Sequence, residues 1–222
     1  MSQAVVAKQG DWISEAYFAQ PLFGLFKDLP GLLTQLFDRL QRYGLALSGT
    51  QFQNPESHLG ETHLRCTLPG SVIRIFLDRL DISSALEQGS VGHDRRGGDV
   101  VEALCAYLPE MRFGTYTSII NLHSMLPGAH PDHALAGLAS AAPKSPGPLL
   151  VAAATFFYSA DADRLSSSLR IEPSLVLQDG LFCQTRVIYD AAKTRVGGLA
   201  EASRHYLEHA LAELNMALEG LT

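Results

Sequence analysis

The final stretch of the chain, Gly198 to Thr222, reads GLAEASRHYLEHALAELNMALEGLT. Leucines recur in it at helical spacing and predict one apolar stripe made of Leu207, Leu211, Leu214, Leu218 and Leu221. Because an exposed row of leucines this long would promote aggregation, we expect the stripe to be buried against a sheet. The segment therefore predicts an α+β domain that is closed by one long C-terminal helix.

Two predicted hairpins precede this helix. In the first, residues 61–68 alternate apolar and polar side chains, and residues 72–80 continue as a strand after a Pro69-Gly70 turn. In the second, the same alternation over 165–171 leads through a turn into a strand over 181–189. Alternation of this kind is typical of strands that bury one face and expose the other.

Three further segments complete the predicted sheet. Residues 43–52 and 114–124 have strand character, and residues 149–158 are almost continuously apolar, which predicts a central strand covered on both faces. Because strands follow one another without βαβ alternation, we predict an α+β fold with a largely antiparallel sheet of about six to seven strands packed by helices. The pattern over 114–222 resembles helix-grip and SecB-like folds in topology, and the resemblance implies no function.

Residues 21–42 carry the first helical pattern. Pro30 interrupts it, which predicts a short helix to Asp28 and a second over 30–43. The apolar side chains exceed one narrow stripe, so we expect part of this surface to mediate self-association. They are Leu22, Phe23, Leu25, Phe26, Leu29, Leu32, Leu33, Leu36 and Phe37.

The polar and glycine-rich residues 83–99 are predicted as an exposed loop, with Asp99 capping a helix that runs to Leu108. Within this loop, an Arg-Gly-Gly sequence at a helix start could hold an anion, although an ordinary cap explains it as well. No internal repeat is evident. We predict a single domain over 1–222, with an N-terminal arm at 1–20 and a long Ala/Pro/Gly-rich loop at 127–148.

Composition narrows the class of function. The chain has 222 residues, of which 46% are hydrophobic and 18% charged, and its formal net charge is −6. This balance is typical of a globular domain with a sizeable core. Because nucleic-acid binding needs a concentrated positive field, a nucleic acid is an unlikely partner.

The three cysteines, Cys66, Cys105 and Cys183, are far apart and lie in apolar surroundings. We predict buried free thiols in a reducing compartment. Residues 1–20 lack a basic region followed by an apolar run, and no segment is apolar for the roughly 20 residues that a membrane-spanning helix requires. A cytoplasmic protein without a membrane anchor is expected.

A polar row on the predicted C-terminal helix consists of Glu201, His205, His209 and Glu213. Two histidines one turn apart can share a zinc or iron ion. However, Tyr206 occupies the position where a zincin has its glutamate, and no third ligand follows from the spacing. Glu/His pairs on a solvated helix face explain the same residues, so we predict no metal, with these four as the alternative site.

A second group, His130, Asp132 and His133, lies in the 127–148 loop. Two histidines and an aspartate on a loop can complete a metal site or act as acid and base. Asp132 also suits a helix cap, which is the simpler interpretation. No nucleophile motif and no cofactor motif occurs, so we predict neither a catalytic residue nor a cofactor.

Basic side chains on the predicted strands form the remaining candidate site. They should share the less apolar face of the sheet, where arginines can recognise carboxylates or phosphates. Cross-strand ion pairs are the alternative explanation. The candidate ligand-binding residues are His63, Arg65, Arg74, Arg170 and Arg186.

These patterns favour a non-enzymatic cytoplasmic protein that binds a partner protein or itself, as an assembly or adaptor protein. The alternative is a small-ligand-binding protein or a metal-dependent enzyme, with a site between the C-terminal helix and the sheet.

Overall fold

The computed structural model describes residues 2–54, 58–139, 153–161 and 163–221. These residues form an α+β fold in which four helices pack on one ten-stranded, largely antiparallel sheet. The helices are α1 (Leu29–Leu40), α2 (Gly89–Tyr107), α3 (Pro131–Ala139) and α4 (Leu199–Glu213).

The strands of the first half are β1 (Gln3–Phe18), β2 (Thr50–Gln53), β3 (His63–Leu68), β4 (Ser71–Phe76) and β5 (Arg79–Ala85). Those of the second half are β6 (Phe113–Met125), β7 (Ala154–Tyr158), β8 (Arg164–Pro173), β9 (Gly180–Asp190) and β10 (Met216–Glu219). Their spatial order is β2-β3-β4-β5-β1-β6-β9-β8-β7, with antiparallel neighbours throughout, and β10 pairs with β1 in parallel. The α+β class is confirmed, but the sheet has more strands than the predicted six to seven.

The two halves of the chain repeat one order of elements: a long strand, a helix, a meander of antiparallel strands and a second helix. The long strands β1 and β6 lie side by side at the centre of the sheet. The meander of each half extends outward from its own long strand, β5 to β3 on one side and β9 to β7 on the other. This repeat is visible only in the topology, since the sequence shows none.

The segment predicted as an N-terminal arm is instead strand β1, which pairs with β5, β6 and β10. Trp12 lies at its middle and is fully buried. The pairing of β1 with β6 shifts register near Ala7. There a Cβ at Gly10 would lie 1.9 Å from the Asn121 carbonyl oxygen, so only glycine allows the two strands to approach.

The predicted long C-terminal helix is wrong beyond Glu213. Asn215 adopts the left-handed conformation with φ of 58°, which ends α4. Residues 216–219 then form β10 beside the start of β1, so Leu218 lies on a strand. Leu207 and Leu211, which are residues of α4, are fully buried as expected, whereas Leu214 and Leu218 are only partly buried.

The two predicted hairpins are present, with one difference. The segment 72–80 contains two strands, because the chain turns at Leu77 and Asp78 and returns as β5.

Residues 154–158 form an edge strand, β7, and not the predicted central one; Phe157 there is 84% exposed. The predicted apolar start of that segment, 149–152, lies outside the described residues.

The second helix predicted in this region, over 30–43, corresponds to α1, whereas residues 21–28 contain turns and not the predicted short helix. Asp28 caps it by accepting a hydrogen bond from the Gly31 amide at 3.0 Å, and Pro30 fits in its first turn. Most of the surplus apolar surface of this region packs inside the fold, while Phe23 stays 76% exposed. Packing within the chain therefore accounts for the surface on which self-association was predicted.

The loop predicted at 83–99 is largely helix α2, so Arg-Gly-Gly lies within a helix and not at its start. Small and polar residues let α2 approach its neighbours closely: a Cβ at Gly97 would lie 3.1 Å from Val196 Cγ1. His93 and Asp94, which also belong to α2, are buried. Their polarity suggested an exposed loop, whereas each has a hydrogen-bond partner inside the fold.

The predicted loop at 127–148 contains α3 over its described part, and residues 140–148 lie outside the described residues. Among the helices of the described ranges, none is long and apolar enough to cross a membrane.

Candidate functional site

The helices cover only one face of the sheet over the described residues. On β1, Trp12, Ser14 and Ala16 are buried beneath them, while Ile13 and Glu15 between these positions are partly exposed. We call the second surface the open face; it is defined by Ile13, Glu15 and the side chains in register with them. These include Arg65, Arg74, Asp81, Thr117, Ile119, Ser168, Arg186 and Ile188.

The structure places the five predicted ligand-binding residues on the open face, in two separate groups. His63 and Arg65 lie on β3, and Arg74 lies directly opposite Arg65 on β4. Arg170 on β8 and Arg186 on β9 form the second group. Strands β5, β1 and β6 separate the groups by about 19 Å, at about 4.8 Å for each strand spacing.

The two arginines of the first group have no ion-pair partner in the part of the chain that the structure describes. Neither Arg65 nor Arg74 makes an ion pair or hydrogen bond with another described residue, and Arg65 Nε is buried without a partner. Asp81, opposite Arg74 on β5, receives its hydrogen bonds from Arg79 Nε at 3.1 and 3.3 Å. Burial raises the pKa of the Asp81 carboxyl, and the charge of Arg79 opposes this rise.

Aromatic stacking supports the same part of the face. The His63 ring lies 4.7 Å from the Phe76 ring, and the Arg79 guanidinium lies 4.0 Å above that ring. A pocket of about 470 Å³ opens beside them, lined by Gln53, Asn54, Glu61, His63 and Phe76.

The second group is more fully paired. Arg170 donates to Glu172 Oε2 at 2.5 Å. Because both residues lie on β8, this ion pair is within one strand and is not the cross-strand pair considered as the alternative. Arg186 is exposed and has no ion pair within the described ranges.

A polar row that the sequence did not reveal crosses three central strands. Asn121 donates to Asp11 at 2.8 Å, and Gln184 donates to Asn121 at 2.8 Å. A pocket of about 460 Å³ adjoins this row and is also lined by His123 and Phe182. Single polar residues on three distant segments give no sequence signal, because their contact depends on the register between the strands.

The histidines of α4 are engaged singly. His205 Nε2 lies 3.1 Å from Arg204 Nη2, and His209 Nε2 lies 3.4 Å from Glu213 Oε1. Glu201 is exposed at the start of the helix. Within the described parts of the chain, no three His, Cys, Asp or Glu side chains gather as a metal site would require.

The His130 loop and α4 meet at the C-terminal end of the helix, at Glu213 of the predicted polar row. His133 and Glu213 both line a pocket of about 550 Å³ at the end of α4. His130 instead lies 3.2 Å from Asp179 and 3.4 Å from Asp132. Among the residues that the structure describes, these histidines do not join a group of three or more side chains that could hold a metal ion.

A buried hydrogen-bond chain lies beneath α2. It was missed because Ser84 and His93 were predicted to lie in an exposed loop and Ser14 in an N-terminal arm. Ser14 Oγ lies 2.9 Å from His93 Nε2, His93 Nδ1 lies 2.9 Å from Ser84 Oγ, and Ser71 Oγ continues the chain. Burial lowers the pKa of His93 to about 4, helped by the charge of Arg96. A neutral, almost fully buried histidine satisfies hydroxyl groups here and stabilises the contact of α2 with the sheet.

Asp94 performs a different structural task. Its carboxylate accepts hydrogen bonds from the amides of Ala200 at 2.9 Å and Glu201 at 3.0 Å, and thereby caps α4 from a neighbouring helix. Burial raises the pKa of Asp94 to about 6; the two amides oppose this rise and the charge of Glu201 adds to it.

These two shifts predict opposing pH effects on stability. Between pH 6.5 and 4, the His93 side chain is protonated in the unfolded chain but not in the folded chain. The free energy of unfolding therefore falls by about 3 kcal/mol as the pH falls through this range. Between pH 6 and 3.8 the folded chain protonates Asp94 first, so stability rises by about 3 kcal/mol. The two terms nearly cancel in the parent.

Asp94→Asn removes the compensating acid. Relative to the parent, we expect this variant to lose about 3 kcal/mol of unfolding free energy as the pH falls from 7 to 4. Urea denaturation of both proteins at several pH values measures the difference. A difference that stays constant with pH would contradict the assigned shifts.

The cysteines are free thiols, but they differ in burial. Cys66 and Cys183 are buried as predicted, and burial raises the pKa of each to about 12. Cys105 is exposed on α2, so the prediction that all three are buried is wrong for this residue.

No protein-family model matches the sequence, and no curated protein matches it. Among solved structures, the chain is similar to the aspartate kinase of Clostridium acetobutylicum at a TM-score of 0.21 and 8% identity, covering 87% of this chain and 33% of that one. It is also similar to the regulatory subunit of aspartate kinase from Thermus flavus at a TM-score of 0.20 and 11% identity, covering 92% and 98%. The chain spans about a third of the Clostridium enzyme, and at these scores the likeness supports no argument.

Proposed function

We propose that this protein is a cytoplasmic protein-binding or assembly protein whose interaction surface is the open face, and that two copies associate through it. The observation that carries the proposal is the one-sided coverage of the sheet. Side chains under the helices are almost fully buried, while the described residues place no helix on the opposite surface.

The centre of the open face has the composition of an interface core. Ile13 on β1 lies directly opposite Ile119 on β6, and Ile188 lies on the next strand, β9. Three partly exposed isoleucines on adjacent strands leave apolar surface in water, and burying it would favour association. The patch is centred on β6.

Charges are arranged asymmetrically about this centre. Asp11 and Glu15 flank Ile13 on β1, and Arg186 lies on the other side of β6, on β9. A twofold axis that runs along β6 would bring β1 of one copy over β9 of the second, with Arg186 of the second copy between Asp11 and Glu15. An axis across the strands would instead bring Glu15 against Asp11 of the second copy, which is repulsive.

The size of this surface suits a reversible dimer. The five strands from β5 to β8 span about 24 Å, and four same-face residues of a strand span about 20 Å, which gives roughly 1,000 Å² in total for two copies. This area lies near the lower limit for specific interfaces. We therefore expect association that depends on concentration.

Light scattering across a wide concentration range tests the proposal. We expect the mass to rise from the chain mass of 24.0 kDa toward twice that value. Ile119→Glu and Arg186→Glu should each raise the dissociation constant at least about tenfold, equivalent to about 1.4 kcal/mol. The charge-swapped pair Glu15→Arg with Arg186→Glu should restore association.

Matched controls lie away from the open face. Leu175→Glu changes an apolar side chain that is 98% exposed, and Arg95→Glu changes an exposed arginine on α2, so both should associate like the parent. Thermal melting of every variant shows whether the fold is retained. A parent that stays at the monomer mass, or an Arg186→Glu variant that associates like Arg95→Glu, would contradict the interface.

The cytoplasmic part of the proposal is supported by the thiols. Three free cysteines, one of them exposed, are compatible with a reducing compartment, where disulfides are rare.

A second candidate function is the binding of a small ligand between the C-terminal helix and the sheet. The 550 Å³ pocket at the end of α4 favours it, because apolar groups from Leu138, Leu214 and Met216 surround it together with the polar His133 and Glu213.

A further inference from the structure

The opposed arginines at one end of the open face need an explanation that the proposed dimer does not give. Arg65 and Arg74 are direct cross-strand partners, an arrangement in which like charges destabilise a sheet. In the proposed dimer, the second copy covers strands β5, β1, β6, β9 and β8. Strand β3 therefore lies outside the interface, and β4 lies at its edge. The pair is therefore left for another partner.

Neither arginine makes an ion pair or a hydrogen bond with a described residue. Burial raises the pKa of the Asp81 carboxyl, and the charges of Arg79 and then of Arg74 oppose this rise, so Arg74 interacts with Asp81 through its charge alone. Arg65 Nε is buried without an acceptor, and a buried unpaired donor is costly when it belongs to a charged group. The neighbouring carboxylate, Asp81, is held by Arg79. Both observations indicate a missing acceptor on the open face.

The surrounding groups also present donors. Gln51 is the cross-strand neighbour of Arg65, and Gln53 is that of His63. Because the Glu61 carbonyl 2.7 Å away can only accept, His63 Nδ1 donates to it and Nε2 is left for another partner. The 470 Å³ pocket begins at His63.

We propose that Arg65 and Arg74 bind the phosphate group of a small-molecule phosphate monoester, whose organic part occupies the adjoining pocket. Two guanidinium groups side by side carry two positive charges, which a phosphate near −2 neutralises and a single carboxylate does not. Each guanidinium can also donate two parallel hydrogen bonds to such a group.

Calorimetric titration of the full chain with phenyl phosphate and with inorganic phosphate tests the site. We expect saturable one-to-one binding of phenyl phosphate that weakens at least about tenfold in Arg65→Gln and in Arg74→Gln. Arg95→Gln, which removes an exposed arginine on α2 away from the open face, should bind like the parent. Direct titration is preferred to melting, because phosphate also stabilises proteins by exclusion from their surface.

Benzoate provides the comparison of anion type and should bind at least about tenfold more weakly than phenyl phosphate. Equal affinity for both anions, equal affinity of Arg65→Gln and the parent, or no binding of either phosphate would overturn the proposal. The fold of each variant is checked by circular dichroism. Arg65→Gln and Arg74→Gln should leave the mass in light scattering unchanged, so this site and the proposed dimer can fail independently.

Discussion

Trp12→Ala is expected to lower the free energy of unfolding by about 3–5 kcal/mol. Trp12 is fully buried at the middle of β1, between β5 and β6, and its indole N–H donates to the Leu86 carbonyl at 3.5 Å. Alanine would leave a large cavity where both halves of the sheet meet. Urea denaturation monitored by circular dichroism measures the loss.

The control is Phe23→Ala, which truncates an aromatic side chain that is 76% exposed. We expect it to change stability by less than about 0.5 kcal/mol. If Trp12→Ala were as mild as Phe23→Ala, residues 3–18 would be the peripheral arm that the sequence suggested, and the central position of β1 would be wrong.

Leu211→Ala should destabilise the protein by about 2–5 kcal/mol, because Leu211 is fully buried where α4 packs on the sheet. Leu214→Ala should cost less, since Leu214 lies just after the helix ends and is only partly buried. A single helix to Thr222 would bury the two leucines alike. Comparing their denaturation midpoints therefore separates the observed ending from the predicted one, and equal losses would favour the latter.

Much of the sheet could be predicted because alternation is a local signal. Residues 61–68 and 181–189 show a period of two, and β3 and β9 lie there. The period also assigns side chains to faces, which is why Arg65 and Arg186 could be expected on one surface. Alternation does not give the order of the strands, however, so it could not show that four strands separate these two arginines.

Helix α2 shows why other elements could not be predicted. His93, Asp94 and Gly97 resemble loop residues when considered alone. Inside the fold, serine hydroxyls from β1 and β5 satisfy His93, the first amides of α4 satisfy Asp94, and Val196 packs against Gly97. Each of these partners is distant in sequence, so the reason for the helix is tertiary.

The class of the fold, the strands with regular alternation, and the buried positions Leu207 and Leu211 could be predicted from the sequence, because each depends on the periodicity of neighbouring residues. The central position of β1, the return of the C-terminal residues as β10, and the pairing of Arg65 with Arg74 could be seen only in the folded chain. Those outcomes depend on strand order and register, which arise when hydrogen bonds and apolar surface from distant segments are satisfied together.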